Sequence, residues 1–407
     1  MQDAINIMGY QLHAKLCMTA LITFGLGLAA SETLYILPSP TDPCPAEHCF
    51  VLSLNATEID NYMYPDSSTE MIFLPGLHVL NTIFSVRDIN ISLTLMSSGF
   101  HLSEDRPFIL CEQVANFAFA NVTRVTISGI DLVNCSEYRI EFVPKFEVEN
   151  SGFFNIENIQ GTALKLITTT VSITNSSFFY FTGSSNHEGS FIGGAMILTQ
   201  SNVSIQNCQF EGNQAEFGGA IFANQGSNII ITDGLFLNNH VACADVDQLC
   251  IGGVLYLENN STAVILQTMF GNNKAIYNDT SLQYIYSSAS GGVLGINGSI
   301  VSIEDSYFAY NWAHEAGVVS AWSSSTIDIY RCIFEANEAA QRSGTVNLWF
   351  ATANIYNSAF INNTAKLGGA VSVMEGGFAN IEKCVFVNNT SQYGAAVDIS
   401  RKWSYCY

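Results

Sequence analysis

Positive charge is what this sequence has least of. Fourteen Lys and Arg stand against 35 Asp and Glu, a net charge of −21 over 407 residues, and from Leu166 to Asn273 no Lys or Arg occurs. Nucleic acid and anionic membrane surfaces attract proteins through clustered cations, so neither is expected as a partner. Helical patterning is missing too: no stretch holds a 3.6-residue apolar period long enough for a helix. The chain also has no Gly-rich phosphate cradle, no zinc-spaced Cys and His set and no calcium-binding nonapeptide. No metal site and no cofactor are therefore expected, a calcium ion held by surface carboxylates being the one option left open.

What is present is apolar and periodic. Hydrophobic residues make up 48% of the chain and the mean hydropathy is +0.23, ample for a large core. Eight times an Ile is followed five residues later by a Phe. The Ile positions are Ile173, Ile205, Ile231, Ile265, Ile303, Ile329, Ile355 and Ile381; the Phe positions are Phe178, Phe210, Phe236, Phe270, Phe308, Phe334, Phe360 and Phe386. Where nothing is inserted the Phe residues stand 26 apart, a period that marks a solenoid. The units consist of short β-branched runs broken by Gly, Asn and Ser, which reads as strand and corner. The expected architecture is all-β: a right-handed parallel β-helix of roughly 12 to 13 coils, three short strands per coil, on the order of 60 Å long.

Three further columns accompany the Ile and Phe. Two residues before each Phe the residue is small (Ser176, Cys208, Gly234, Thr268, Ser306, Cys332, Ser358, Cys384), as expected on the same strand side as a ring in a narrow bore. Three residues after it stands Asn213, Asn239, Asn273, Asn311, Asn337, Asn363 or Asn389. Asn tolerates a left-handed corner, and a column of its amides can satisfy buried groups. A Gly column (Gly194, Gly219, Gly253, Gly292, Gly317, Gly344, Gly369) marks a second corner that needs a positive φ or no Cβ.

The paired F-x-x-N and G-G-A-[ILV] signatures resemble the repeats of polymorphic outer membrane (Pmp) proteins, over about residues 148 to 397. Phe181 in place of the Asn, Ala316 and Ser343 in place of the first Gly, and Ala395 in the Gly column depart from the pattern. The resemblance implies an adhesive surface protein; the bacterial family's C-terminal membrane barrel has no counterpart in this sequence. Upstream the pattern weakens but persists to about Met71.

The expected layout is a signal peptide over 1–31, a disulfide-containing cap segment over 32–70, degenerate coils over 71–147 and regular repeats over 148–407. The signal rests on the apolar run from Leu16 to Ala30 after Lys15, with small residues before Ser31. An uncleaved anchor is the alternative, and it or a part beyond Tyr407 would be the route to membrane association. The lack of a polar cap at the end leads to the expectation of an N-terminal portion of a longer protein. Sequons fit secretion, with Asn55, Asn90, Asn121, Asn202, Asn260, Asn278 and Asn297 as the glycosylation candidates. Asn278, in an insertion, is the best acceptor, while Asn389 belongs to the inward column. Cys44 with Cys49 and Cys243 with Cys250 each flank a short loop and read as disulfides. Cys111 and Cys135, about one coil apart, read as a bridge between neighbouring coils. Cys208, Cys332 and Cys384 read as buried free thiols, too far apart along their column to bond.

Extra residues cluster at one corner. From the Phe to the Gly-Gly step the usual distance is eight residues, but it is fifteen after Phe178, sixteen after Phe236 and twenty-one after Phe270. Loops leaving one corner of a solenoid line up along one edge, the usual place for binding. The candidates there are His187, Glu188, His240, Asp245, Asp247, Tyr277, Asp279, Tyr284 and Tyr286. They suit a recognition edge with aromatic anchors; tolerated surface loops would need no partner at all. Parallel β-helices also carry polysaccharide lyases and hydrolases, but the pairs Glu304-Asp305 and His314-Glu315 are adjacent and expected to point to opposite faces. The reading is a secreted or cell-surface adhesion and recognition protein with an extracellular protein or glycan partner and no catalytic role. A carbohydrate-active enzyme and a purely structural spacer are the alternatives.

Overall fold

The structure, a computed structural model, describes residues 31–37, 49–51, 65–98, 106–112, 117–135, 137–156, 160–185, 190–243, 249–277 and 288–400. Three long sheets run along the described residues, with 14, 12 and 12 strands, and from Ser68 onward successive strands in them are one coil apart. The pairing is parallel throughout these sheets, as in Thr170–Thr174 on Asn202–Gln206, Ser177–Phe179 on Gln209–Glu211 and Met196–Thr199 on Ile221–Asn224. This is a parallel β-helix, built as the repeat requires. Among the described residues no helix is long and apolar enough to cross a membrane. The first sheet begins upstream of Met71: Ser31–Leu37 pairs with both Cys49–Val51 and Ser68–Phe73, inside the segment expected to be a cap.

The repeat columns are ladders in register. Ile173, Ile205, Ile231 and Ile265 face one another across successive strands of the first sheet, and Phe178, Phe210, Phe236 and Phe270 do so in the second. All are buried. The rings stack with centroids 4.7 to 5.1 Å apart, from Phe178 on Phe210 at 4.8 Å to Phe236 on Phe270 at 5.1 Å. That spacing is the strand separation of a sheet, so the backbone ladder dictates the ring geometry.

The Asn column is satisfied in full. Asn273 Oδ1 accepts from the backbone N–H and the Nδ2 of Asn239 at 3.0 and 3.1 Å, and Asn273 Nδ2 donates to Phe236 O and Asn311 Oδ1, both at 3.0 Å. The left-handed corner belongs to the residue before each buried Asn, as at Asn238 (φ 56), Asn272 (φ 54) and Tyr310 (φ 57). The expectation placed both properties on one residue; the chain divides them between neighbours. Phe181, the exception, is buried and donates its N–H to Asn213 Oδ1 at 3.1 Å.

The small column likewise sits at a corner and not within a strand. Each member follows a left-handed residue such as Asn175 (φ 49) or Asp305 (φ 51). Where the member is Ser or Thr, its hydroxyl accepts a backbone N–H from the coil before: Ser306 Oγ from Thr268 at 3.1 Å, Ser358 Oγ from Cys332 at 3.1 Å. Room matters too, since a Cβ on Gly234 would lie 3.0 Å from the Phe236 ring. Cys208 and Cys332 are free and buried, and burial pushes each thiol up to about 11. Cys384, expected buried, is free and half-exposed on the last described coil.

The two glycines of the Gly-Gly step do different work. The first takes the positive φ: 63 at Gly218, 74 at Gly252 and 67 at Gly291, with Ala316 (58) and Ser343 (54) under strain in the same place. The second has an ordinary φ but no room, because a Cβ on Gly219 would lie 2.1 Å from the carbonyl oxygen of Gly253 one coil on. Cys111 and Cys135 bridge adjacent coils with Cα atoms 5.0 Å apart. The pairing expected for Cys44 and Cys49 lies outside the described residues.

Replacing Gly219 by Ala should lower stability by about 1 to 3 kcal/mol or more through overpacking; an unchanged melting temperature would contradict this account of the step. Replacing Asn273 by Ala orphans several buried groups and should cost about 3 kcal/mol or more. Exposed Asn202→Ala should stay within about 0.5 kcal/mol. Chemical denaturation of the three variants separates the cases.

Candidate functional site

The corner that carries the insertions holds paired strands. After Phe236 and Phe270 the chain leaves the coil as one strand and re-enters it as a second. The outgoing legs are His240–Cys243 and Lys274–Tyr277; the returning legs are Leu249–Ile251 and Ser288–Ser290. Like pairs with like across the coils, in parallel. Both tracks then meet on Trp312–Glu315, where Lys274 faces Trp312 and Ser290 faces Glu315. The following unit has no insertion, so one strand must serve two legs. The result is a seven-stranded side sheet that also takes in Gln214–Ala215 and Glu338–Arg342.

Strand alternation explains how the side sheet holds together. Val241, Cys243, Cys250, Ala275, Ala289 and Ala313 turn inward and form a small buried core of their own. The Cys243–Cys250 disulfide, with Cα atoms 5.6 Å apart, ties the two legs of the Phe236 insertion. The intervening residues, His240, Ala242, Lys274, Ile276, Trp312 and Glu338, are left half-buried or exposed on the other face.

That outer face makes a groove parallel to the rod. A ladder of successive coils places Gln160, Thr182, Gln214, His240, Lys274, Trp312, Glu338 and Thr364 side by side. Two hollows open on this one ladder. A hollow of about 270 Å³ is lined by Thr182, Phe191, Gln214 and Glu216 among others. A larger one, about 480 Å³, is lined by Asn272, Lys274, Ile276, Tyr310, Asn311, Trp312, Ala336 and Glu338.

Of the nine binding-edge candidates, the structure describes His240 fully and places Tyr277 at the end of its strand, facing Cys243. His187, Glu188, Asp245, Asp247, Asp279, Tyr284 and Tyr286 lie outside the described residues, and with them the calcium option. Lys274, Tyr310, Trp312 and Glu338 were not among the candidates. One signal could have found the ladder: Gln214, His240, Lys274, Trp312 and Glu338 each follow a column Asn directly.

Charges around the site correct one expectation. Glu304 and Asp305 do converge: Arg331 pairs with Glu304 through Nη2 and with Asp305 through Nε at 2.7 Å. Asp305 has left the strand for a left-handed corner, so alternation no longer separates the two. The Arg331 guanidinium holds the Asp305 carboxyl below the usual carboxylate range. At Glu315 the opposite holds: burial pushes the carboxyl up against the opposing field of Arg342, which faces it across a register shift. Of the glycosylation candidates, Asn90, Asn121, Asn202 and Asn260 are exposed. Asn297 is half-buried and donates to Tyr256 Oη at 3.4 Å. Asn55 and Asn278 lie outside the described residues.

With this geometry in hand, the sequence profile of the Chlamydia polymorphic membrane protein repeat matches residues 207–224, which carry one Phe, Asn and Gly-Gly unit. The profile thus covers one unit of this β-helix, and the repeat is similar to the Pmp type. Metabotropic glutamate receptor-like protein Q of Dictyostelium discoideum is 28% identical to this chain over 268 residues, 66% of the chain and 19% of that protein. Protein R of the same organism is 30% identical over 165 residues, 37% of the chain and 10% of that protein. The chain thus spans a fifth or less of the length of these curated relatives. Two similar solved structures are a rhamnogalacturonan lyase and PfbA, a surface adhesin of Streptococcus pneumoniae. Both have a TM-score of 0.32; the lyase is 11% identical over 83% of this chain and 82% of its own, PfbA 10% over 80% and 85%. At that level neither the lyase's chemistry nor the adhesin's role transfers.

His240 on this ladder makes stability depend on pH. Burial lowers its pKa below 6.5; a hydrogen bond with the Asn238 backbone opposes the shift and the charge of Lys274 adds to it. The folded state therefore prefers neutral imidazole while the unfolded chain takes up a proton more readily. The contribution is complete above the unfolded value and is lost as pH falls from about 6.5 toward the lowered folded value. Between about pH 7.5 and 5.5 the wild type should lose more melting temperature than His240→Gln; parallel losses would show that His240 is not the titrating group.

Proposed function

We propose that the chain is a recognition module of a secreted or cell-surface protein, without a catalytic role, and that it binds its partner along the side-sheet groove. One observation carries this reading. Among the described residues the regular coils repeat one pattern, and at this corner the chain adds a side core, a disulfide tying two strands of the side sheet and two hollows lined by aromatic, amide and charged side chains. Recognition sites are commonly such departures from a regular scaffold. The Cys111–Cys135 and Cys243–Cys250 bridges suit an oxidising, extracellular setting, and receptor-like relatives are in keeping with it. The carboxylates that catalysis would recruit are otherwise engaged: Glu304 and Asp305 are bound to Arg331. Hydrolysis by a carboxylate pair needs two free groups across a bond, not a shared counterion.

The test is saturable binding of the labelled full chain to intact cell surfaces and extracellular matrix. The double variant Lys274→Met and Tyr310→Ala, two exposed residues of the larger hollow, should bind about ten-fold more weakly or worse at an unchanged melting temperature. Loss of binding together with stability, or loss of neither, contradicts the reading.

A further inference from the structure

We infer that the groove over Gln214, His240, Lys274, Trp312 and Glu338 binds an extended glycan bearing an anionic group on the sugar that faces Lys274. This rests on the reading of the corner as a recognition edge and goes on to name the ligand chemistry.

The first argument is shape. The five residues occupy one ladder position in successive coils. At roughly 4.8 Å per coil they span about 19 Å in a line. That is a track for a chain molecule. The floor is already hydrogen-bonded: each outgoing leg pairs with the next on both sides. A peptide therefore finds no free strand edge within the groove to extend.

Surface chemistry narrows the ligand. Tyr310 is 64% exposed and lines the same hollow as half-buried Trp312. Two aromatic rings on one hollow offer rigid apolar surfaces with polar rims, which suit the apolar faces of sugar rings. Gln214 and Asn272 add amides that both donate and accept, as a row of hydroxyls requires.

Charge then sets the sign. Lys274 is the sole Lys or Arg between Lys165 and Arg331 in the sequence. It is exposed, and among the described residues it enters no ion pair. Glu338 stands two coils away on the same ladder, beyond Trp312. An acid group is thus favoured at one sugar and repelled at the one near Glu338, where hydroxyls can donate to the carboxylate. A nucleic acid, with a charge at every step, meets one cation and an acidic protein.

The experiment titrates the full chain by calorimetry with a panel of linear acidic hexasaccharides, uronate-containing and sulfated, each beside its carboxyl-reduced or desulfated counterpart. At least one acidic member should bind, with its neutral counterpart and Lys274→Met each weakening it at least ten-fold. Trp312→Ala should also weaken binding, and Lys274→Met should keep the wild-type melting temperature. No binding by any acidic member, or binding indifferent to both charge removals, overturns the glycan assignment. If cell-surface binding survives in that case, or is destroyed by protease but not by periodate, the partner is a protein and the broader recognition reading stands alone.

Discussion

Everything in this molecule depends on parallel backbone pairing between successive coils. Once each coil hydrogen-bonds the next in register, every side chain has the equivalent side chain of its neighbours about 4.8 Å above and below. A column must then tolerate stacking on itself. Phe does so as parallel rings 4.7 to 5.1 Å apart, and Asn does so as a chain of amides that also satisfies buried backbone groups. The second Gly of each step answers the same constraint from the opposite side: the carbonyl of the next coil occupies the place of its Cβ.

The side sheet follows from that rule when it is broken locally. Two successive units carry long insertions and the next carries none. Legs that had stacked on their own kind must converge on the single strand Trp312–Glu315. Convergence closes a second core of small residues and Cys, and leaves the alternate side chains facing out as a groove. The site is thus a packing consequence of unequal unit lengths. Its electrostatics are unusual for this chain because the one cation of a long acidic stretch lies at its centre.

Legibility in the sequence varied with how directly a residue obeyed the repeat. Ile173 to Ile381 and Phe178 to Phe386 stand in register as their spacing implied. The Asn column was identified correctly as a hydrogen-bonded ladder, but the left-handed backbone was assigned to Asn273 and its equivalents when it belongs to Asn272 and its equivalents. A corner residue and its neighbour are indistinguishable by spacing alone. Glu304 and Asp305 were separated by an alternation that ends one residue too early. Insertion lengths located the edge and picked out His240, yet Trp312 belongs to a unit of ordinary length and carried no such mark. Lys274 was passed over because the stretch before it defined that face as lacking cations.

The sequence by itself determined the solenoid: its coil length, its three sheets, the inward columns and the edge where it departs from regularity. These are local or strictly periodic properties, and periodicity in a chain that stacks on itself is spatial information. The tertiary structure decided which residues share the groove. Gln214, His240, Lys274, Trp312 and Glu338 come from units of different length, and only the register of coil on coil brings them to one line. It also decided that two insertions form a folded side sheet, because the inner core that holds them exists only when neighbouring legs are packed together.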